Sequence, residues 1–131
     1  MRTWIWIDPQ SVLAANIKLV RGFGGRAGIR DESLLDSALT RPKNLCAYGD
    51  PDICDLATAY LFGIVQNHPF IDGNKRTAVM SMLIFLTIND YVCEAGDVEI
   101  YASVMALAQK DINEADFAAW LKTQVKEIEK K

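Results

Sequence analysis

The 131-residue sequence has a single histidine, three cysteines and no long hydrophobic run. With one imidazole and no Cys-x-x-Cys spacing, the sequence disfavours a structural zinc site. Cys46, Cys54 and Cys93 cannot all pair, and reduced cytosolic thiols are the simplest interpretation. The N-terminus lacks the apolar core of a signal peptide, and the longest apolar stretch is too short to span a bilayer. We therefore expect a cytoplasmic protein that does not enter a membrane.

An excess of charge of one sign is also missing. The chain carries 14 Lys and Arg residues against 17 Asp and Glu residues, a net charge of −3. This balance argues against a protein that binds bulk nucleic acid over its whole surface. Half of the residues are apolar and 24% are charged, which is ordinary for a globular protein. The length and the absence of a low-complexity linker predict one domain covering residues 1–131.

Apolar residues recur at helical spacing through most of the chain, which predicts an all-α fold of about six helices. Most predicted helices begin at a residue whose side chain can accept a hydrogen bond from the first turn. These N-caps are Asp8, Asp31, Asp50 or Asp52, Asp97 and Asn113, and the fourth helix covers residues 74–89. Pro42 is expected to end the second helix, and the last helix is expected to extend through Ile128. The apolar run at residues 3–7 allows one short N-terminal strand.

The fourth predicted helix is apolar on nearly every face, which is typical of a helix surrounded by others. We therefore expect it to lie at the centre of a compact bundle. The run that leads into it reads Asn67-His68-Pro69-Phe70-Ile71-Asp72-Gly73-Asn74-Lys75-Arg76. Its polar residues fall in a loop and in the first turn of the helix, where backbone N–H groups and the positive end of the helix dipole favour an anion.

Several side chains of this run suit phosphate chemistry. Lys75 and Arg76 add full positive charges at the anion-binding end of the helix. Asp72 offers the carboxylate oxygen that a hard divalent cation prefers, and His68 is the side chain best suited to move a proton near neutral pH. Taken singly, each also has a structural interpretation: a turn at Asp72-Gly73, a solvated first turn at Lys75 and Arg76, and a structural His68. Their combination within one short run favours a site for phosphate chemistry.

The pattern His-Pro-Phe-x-Asp-Gly-Asn-Lys-Arg resembles the core motif of the Fic/Doc family. Its Asn-Lys-Arg ending is similar to the Doc (death-on-curing) branch, whose members are toxins of bacterial toxin–antitoxin systems. The earlier pattern Gly-Gly-x-x-Gly-Ile-Arg-Asp, which starts at Gly24, is also similar to Doc-type proteins. The resemblance covers nearly the whole chain and implies the Fic fold, a bundle of about six helices.

The resemblance also implies a reaction, the transfer of the γ-phosphoryl group of ATP to a Ser or Thr hydroxyl of a protein, with Mg²⁺. It implies a role for each matching residue: His68 as proton acceptor, Asp72 as Mg²⁺ ligand, Gly73 and Asn74 as donors to the phosphates, and Lys75 and Arg76 as neutralising charges. The implied target is a translation elongation factor, elongation factor Tu, with growth arrest as the outcome. The implied partner is a cognate antitoxin, Phd-like or of another kind.

Other functions remain open at this point. Family members that transfer AMP have a second glycine where this chain has Lys75 and a second arginine where it has Met80, and both differences favour the Doc branch. A non-catalytic module that binds an antitoxin is a further alternative. An RNase that uses His68 with the neighbouring cations is a weaker one. The expected function is therefore phosphoryl transfer, with AMP transfer as the main enzymatic alternative.

Two other segments carry weaker signals. Gly22, Gly24 and Ala27 fit a G-x-G-x-x-A dinucleotide pattern, but a predicted helix and not a strand precedes them. A flexible connector is therefore the favoured interpretation of residues 22–28. By resemblance, the segment before the third helix corresponds to the flap on which Fic proteins dock a target peptide, although an ordinary connector fits nearly as well.

Overall fold

A computed structural model describes residues 3–129 of the chain, and this part is mainly helical. The six helices are α1 (Pro9–Phe23), α2 (Glu32–Tyr48), α3 (Ile53–Asn67), α4 (Asn74–Ile88), α5 (Asp97–Ala108) and α6 (Glu114–Lys122). Two short strands, β1 (Tyr91–Cys93) and β2 (Val125–Glu127), pair antiparallel. The predicted all-α class with about six helices is therefore confirmed.

Local capping chemistry explains several of the helix starts. The Asp8 carboxylate accepts a hydrogen bond from the N–H of Gln10, and Pro9 occupies the first helical position of α1. Asp52 and Asp55 form a reciprocal capping box at the start of α3. Asn113 and Asp116 form a second capping box at the start of α6 (2.8 and 3.0 Å). Only α5 differs slightly, because Asp97 is its first residue and Gly96 its N-cap.

The centre of the bundle is shared by α3 and α4. α3 is buried along almost its whole length, because α2, α4 and α6 pack around it. α4 packs against α3 on one side and contacts α1 and α5 as well. Large side chains fill the space between these helices, among them Tyr60, Phe85 and Phe117. The loop that joins α3 to α4 therefore emerges from two helices held firmly by the core.

The predicted strand at residues 3–7 is wrong. These residues are extended, but the backbone groups of Ile5 bond to the side chain of Asn89 at 2.8 and 2.9 Å. The N–H of Ile7 bonds to the Tyr60 hydroxyl at 3.3 Å. Trp6 stacks on Phe85, with ring centroids 5.8 Å apart. Side chains of the bundle thus supply hydrogen-bond partners for the backbone of this segment, and no strand lies beside it in residues 3–129.

Two predicted helix ends are also wrong. Pro42 lies inside α2, which continues to Tyr48. Tertiary contacts hold the helix at this point, since Arg41 makes two hydrogen bonds to Glu114 (2.8 and 2.9 Å) and packs over the Phe62 ring. The last helix ends at Lys122 instead of extending through Ile128, because residues 125–127 pair with β1.

Two expectations about the whole chain can be compared with residues 3–129. No helix in this range is long and apolar enough to cross a bilayer. Cys46, Cys54 and Cys93 are unpaired, as predicted. Burial raises the pKa of Cys54 to about 12 and also raises the pKa of Cys46 and Cys93. All three thiols are therefore protonated and poorly reactive near neutral pH.

Thr58 on α3 is the one buried side chain whose polar atom lacks a hydrogen-bond partner within residues 3–129. We expect Thr58→Val to raise the free energy of unfolding by about 1 kcal/mol, since valine keeps the volume and removes a hydroxyl that is buried without a partner. Thermal and urea denaturation measure the change. Thr77→Val is the matched control, because the equally buried Thr77 hydroxyl accepts a hydrogen bond from Asn16 and its loss should be destabilising. Similar destabilisation by both changes would contradict the expectation.

Candidate active site

His68 is the C-cap of α3 and the first residue of the loop between α3 and α4, and its backbone is in a left-handed conformation (φ 48°, ψ 55°). Such a conformation is strained for a residue with a Cβ and needs support from its surroundings. Arg30 supplies it, because its guanidinium donates to the carbonyls of His68 (2.8 Å) and Asn67 (3.0 Å). These two bonds cap the end of α3 and leave the exposed imidazole free of hydrogen bonds to residues 3–129.

The N-terminus of α4 is built to leave backbone donors free. Its N-cap is Gly73, in a left-handed conformation (φ 77°), and no side chain caps the first turn. The N–H groups of Asn74, Lys75 and Arg76 therefore point out of the helix without intrahelical acceptors. The positive φ disfavours any residue with a Cβ, and a Cβ at position 73 would lie only 3.0 Å from Val20 Cγ2, so the backbone conformation and the limited space both favour glycine.

Asn74 supports the loop with its side chain. Its Oδ1 accepts a hydrogen bond from the N–H of Phe70 (2.9 Å), and its Nδ2 donates to the Phe70 carbonyl (3.0 Å). Phe70 itself is buried in the core. The amide of Asn74 is thus engaged inside the loop, and what it offers to a phosphate is its backbone N–H group.

Asp72 accepts hydrogen bonds through its backbone carbonyl and through one of its two side-chain oxygens. Its carbonyl accepts from Asn16 Nδ2 (3.0 Å), and its Oδ2 accepts from the N–H of Arg26 (2.8 Å). Its Oδ1 makes no hydrogen bond within residues 3–129. In the same range no cluster of three or more His, Cys, Asp or Glu side chains could form a metal cage. One free carboxylate oxygen suits Mg²⁺ that arrives with phosphates and retains water, since this ion commonly takes only one or two protein carboxylates.

Arg76 is contacted by two aromatic rings from other helices. Its Cζ lies 3.6 Å from the ring centroid of Phe23 at the end of α1 and 5.3 Å from that of Tyr101 on α5. Burial raises the pKa of the Tyr101 hydroxyl, and the nearby positive charge of Arg76 opposes this rise. The guanidinium is therefore restrained by its surroundings, although it lies at the edge of the protein.

These residues surround one cavity of about 550 Å³. Its lining includes all of the site residues predicted from the sequence: His68, Asp72, Gly73, Asn74, Lys75 and Arg76. A cavity of about 590 Å³ near the start of α3 is slightly larger, but its lining contains carboxylates and no cation. The smaller cavity is the candidate active site, because only there do free backbone donors, cations, a carboxylate and an imidazole come together.

The glycine-rich segment connects α1 to α2, as predicted, and it also forms one wall of this site. Ile29 forms an antiparallel bridge with Phe70, and the N–H of Ile71 bonds to the carbonyl of Gly28 (3.0 Å). Gly25 has a φ of 107°, and a Cβ there would lie 3.0 Å from Asp72 Oδ2. The chain needs glycine at this position because its backbone passes directly against the carboxylate.

The predicted flap lies elsewhere in the structure. Residues 49–52 precede α3, whereas His68 follows it, and the 15 residues of α3 separate the two by roughly 22 Å at 1.5 Å per residue. The correspondence between this segment and a flap beside the active site is therefore wrong. The segment beside the loop is residues 24–30, which only a long-range pairing brings there.

The similarity of this chain to known proteins covers the region that contains the candidate site. The sequence model described as Fic/DOC family matches residues 6–86. A protein of Mycolicibacterium smegmatis named Toxin Doc is 40% identical over 87 residues, which cover 64% of this chain and 64% of that protein. A protein of Escherichia phage P1 named Protein kinase doc is 31% identical over 84 residues, or 63% of this chain and 67% of the phage protein. The chain thus spans about two thirds of the length of these relatives.

Proposed function

The chain belongs to the Fic/DOC family, and we propose that it is a Doc-type toxin that transfers the γ-phosphoryl group of ATP to a Ser or Thr hydroxyl of a target protein. One observation carries the proposal: a free helix N-terminus, two cations, a carboxylate and an imidazole line a single cavity. The names of the two relatives, a toxin and a protein kinase, are consistent with it.

The start of α4 binds the phosphates in this proposal. Its free N–H groups and the positive end of the helix dipole face the cavity, and Lys75 and Arg76 add full charges there. Phosphoryl transfer requires positioning and neutralisation of charge far more than covalent assistance from the protein. Asp72 would hold Mg²⁺ through its free carboxylate oxygen, and the ion would supply further neutralisation of the phosphates. The fixed Asp72 backbone holds that oxygen at the same end of the cavity.

His68 acts as the general base. The imidazole accepts the proton of the target hydroxyl, whose oxygen forms a bond to the γ-phosphorus while the bond to the β–γ bridging oxygen breaks and ADP leaves. The imidazole is exposed and faces the same cavity as the phosphate-binding residues. Arg30 holds the backbone at position 68, so the proton acceptor extends from a restrained Cα beside the cavity.

The choice of the γ-phosphorus rests on two side chains. Met80 lies one turn after Arg76 on α4, is half-buried and offers no hydrogen-bond donor. The triphosphate therefore lacks a second arginine clamp of the kind that AMP-transferring relatives have, since arginine grips phosphate oxygens in pairs. Lys75 adds an ammonium group at the loop end of the site. We infer that the terminal phosphate faces His68 and the target hydroxyl.

Labelled ATP tests this function directly. The protein is incubated with purified elongation factor Tu, or with a cell lysate, and ATP labelled at either the γ- or the α-phosphate. We expect label on protein from the γ-labelled form alone, because the proposed orientation of ATP directs the terminal phosphate toward His68. Label from the α-form would show AMP transfer, degraded RNA would show a nuclease, and no change of either kind would favour a module that only binds an antitoxin. His68→Ala provides the background for each reaction.

A toxin that modifies a translation factor also requires a partner that restrains it, and we propose a cognate antitoxin, Phd-like or of another kind. Its inhibitory segment is expected to be a helix or an extended peptide laid in an apolar groove. Met80 and Ile84 on α4 lie one turn apart and are both only half-buried, so they form a partly exposed apolar stripe that such a segment could contact. This stripe continues from Arg76, so a peptide on it would reach the phosphate-binding end of the cavity.

A further inference from the structure

Phe23 is an exposed aromatic residue without an obvious role in packing. It is the last residue of α1, and 65% of its surface is exposed. Its ring lies against the guanidinium of Arg76, at 3.6 Å from centroid to Cζ. The exposure of Phe23 is explained if its ring stabilises the position of the Arg76 guanidinium instead of packing in the core.

Contact with a ring leaves the useful edge of a guanidinium free. The N–H donors of arginine lie in the guanidinium plane, whereas an aromatic ring attracts the cation through its face. An arginine held in this way can still donate two parallel hydrogen bonds to phosphate oxygens. Restraint by a ring also lowers the conformational entropy that a long side chain loses when it binds an anion.

The turn after α1 explains why Phe23 can reach Arg76. Gly24 ends the helix with φ 92°, and its N–H bonds to the carbonyl of Val20 at 2.7 Å. Gly25 follows, also with positive φ, and a Cβ there would lie 3.0 Å from Asp72 Oδ2. This glycine turn thus places the Phe23 ring against the guanidinium of Arg76. It also places the backbone of Gly25 beside the carboxylate of Asp72.

The second ring comes from a different part of the chain. Tyr101 lies on α5, outside the residues 6–86 that match the family model, and its ring centroid is 5.3 Å from Arg76 Cζ. α5 packs against α4, so the Tyr101 ring is carried by the core. The restraint on Arg76 therefore combines an exposed ring on α1 with a partly buried ring on α5.

We propose that Phe23, supported by Tyr101, is a positioning residue that orients the Arg76 guanidinium toward a polyphosphate in the cavity. This inference rests on the proposed function for the identity of the ligand as a nucleotide triphosphate. Phe23 does not touch the reacting atoms and acts only through Arg76. The expected consequence is a change in the affinity for polyphosphate that depends on the presence of Arg76.

A double-mutant cycle tests this dependence. The dissociation constant of Mg²⁺-tripolyphosphate is measured by calorimetry for the wild type, Phe23→Leu, Arg76→Ala and the double variant. We expect Phe23→Leu to raise the dissociation constant about fivefold, because an unrestrained Arg76 side chain loses about 1 kcal/mol more conformational entropy on binding, and to have no further effect in the Arg76→Ala background. Phe23→Tyr should retain the wild-type value. Tyr48→Leu, at an aromatic residue that is 91% exposed on α2 and away from the cavity, is the matched control and should also bind normally.

The outcomes separate this inference from the proposed function. An equal loss from Phe23→Leu in both backgrounds would mean that Phe23 is only part of the cavity wall, and would overturn the positioning role. A wild type that does not bind tripolyphosphate would overturn it as well. A coupled loss in the variants supports the positioning role even if no protein is labelled by ATP, in which case the phosphoryl-transfer function alone fails.

Discussion

His68→Ala is expected to reduce the transfer of phosphate to protein by about a hundredfold to ten-thousandfold, the usual cost of losing a general base. The imidazole is exposed and makes no hydrogen bond with residues 3–129, so its removal takes nothing from the core. Single-turnover rates at saturating ATP measure the loss, and circular dichroism on the same samples shows whether the fold is kept. Full activity in this variant would exclude His68 as the proton acceptor.

A second substitution at the same position distinguishes loss of the base from distortion of the loop. The backbone at His68 has φ 48°, a conformation that asparagine adopts more easily than alanine. His68→Asn should therefore keep the loop, including the bonds from Arg30 to the carbonyls of Asn67 and His68. The asparagine amide cannot accept the proton as a base, so the same loss of rate is expected. An active and folded His68→Asn would contradict the mechanism.

The helix starts could be predicted because they depend on residues close together in sequence. Asp8 before Pro9, and Asn113 three residues before Asp116, supply their caps from within one turn. The errors occurred where contacts from distant residues decide the conformation. Pro42 is tolerated inside α2 while Arg41 is bound to Glu114, and residues 3–7 satisfy their backbone through Asn89 instead of a strand. No local pattern indicates such partners.

In the candidate site too, the residues of the local motif could be predicted, whereas the residues brought there by helix packing could not. The residues that line the cavity from the loop and α4 all lie between positions 68 and 76, so one motif was enough to predict them. The residues that hold them come from elsewhere: Phe23 and Gly25 from the end of α1 and the segment that follows it, and Tyr101 from α5. Their proximity depends on how the helices pack. Asn16 is the exception, because a local pattern marks it: it is a polar residue one turn from the buried Val12 and Val20 on the same face of α1.

Asn16 connects four parts of the site with one buried amide. Its Nδ2 donates to the carbonyl of Asp72 (3.0 Å) and to the hydroxyl of Thr77 (3.2 Å), and its Oδ1 accepts from the N–H of Gly28 (3.1 Å). These bonds join α1, the glycine-rich segment, the loop and the start of α4. The side chain is 1% exposed, so water cannot replace the lost partners when it is removed.

Asn89 offers a matched comparison at a distance from the cavity. It is also a buried asparagine, and its amide makes three hydrogen bonds, to the N–H and carbonyl of Ile5 and to the carbonyl of Phe85 (2.8–2.9 Å). Asn16→Ala and Asn89→Ala therefore remove the same chemical group and the same number of bonds. Each is expected to lower the free energy of unfolding by about 2–4 kcal/mol, which urea denaturation measures.

Only Asn16→Ala is expected to reduce phosphate transfer beyond the loss of folded protein, by about a hundredfold. Without the amide, the carbonyl of Asp72 and the N–H of Gly28 lose their common partner, and a displacement of about 1 Å in a catalytic group can cost this much. Rates are measured at a low temperature at which both variants are folded, and each is divided by the folded fraction. Equal rates per folded molecule for Asn16→Ala and Asn89→Ala would show that Asn16 stabilises the fold without positioning the site. A selective loss in Asn16→Ala would show that a residue of α1, distant in sequence from the motif, positions the carboxylate of Asp72 relative to the start of α4.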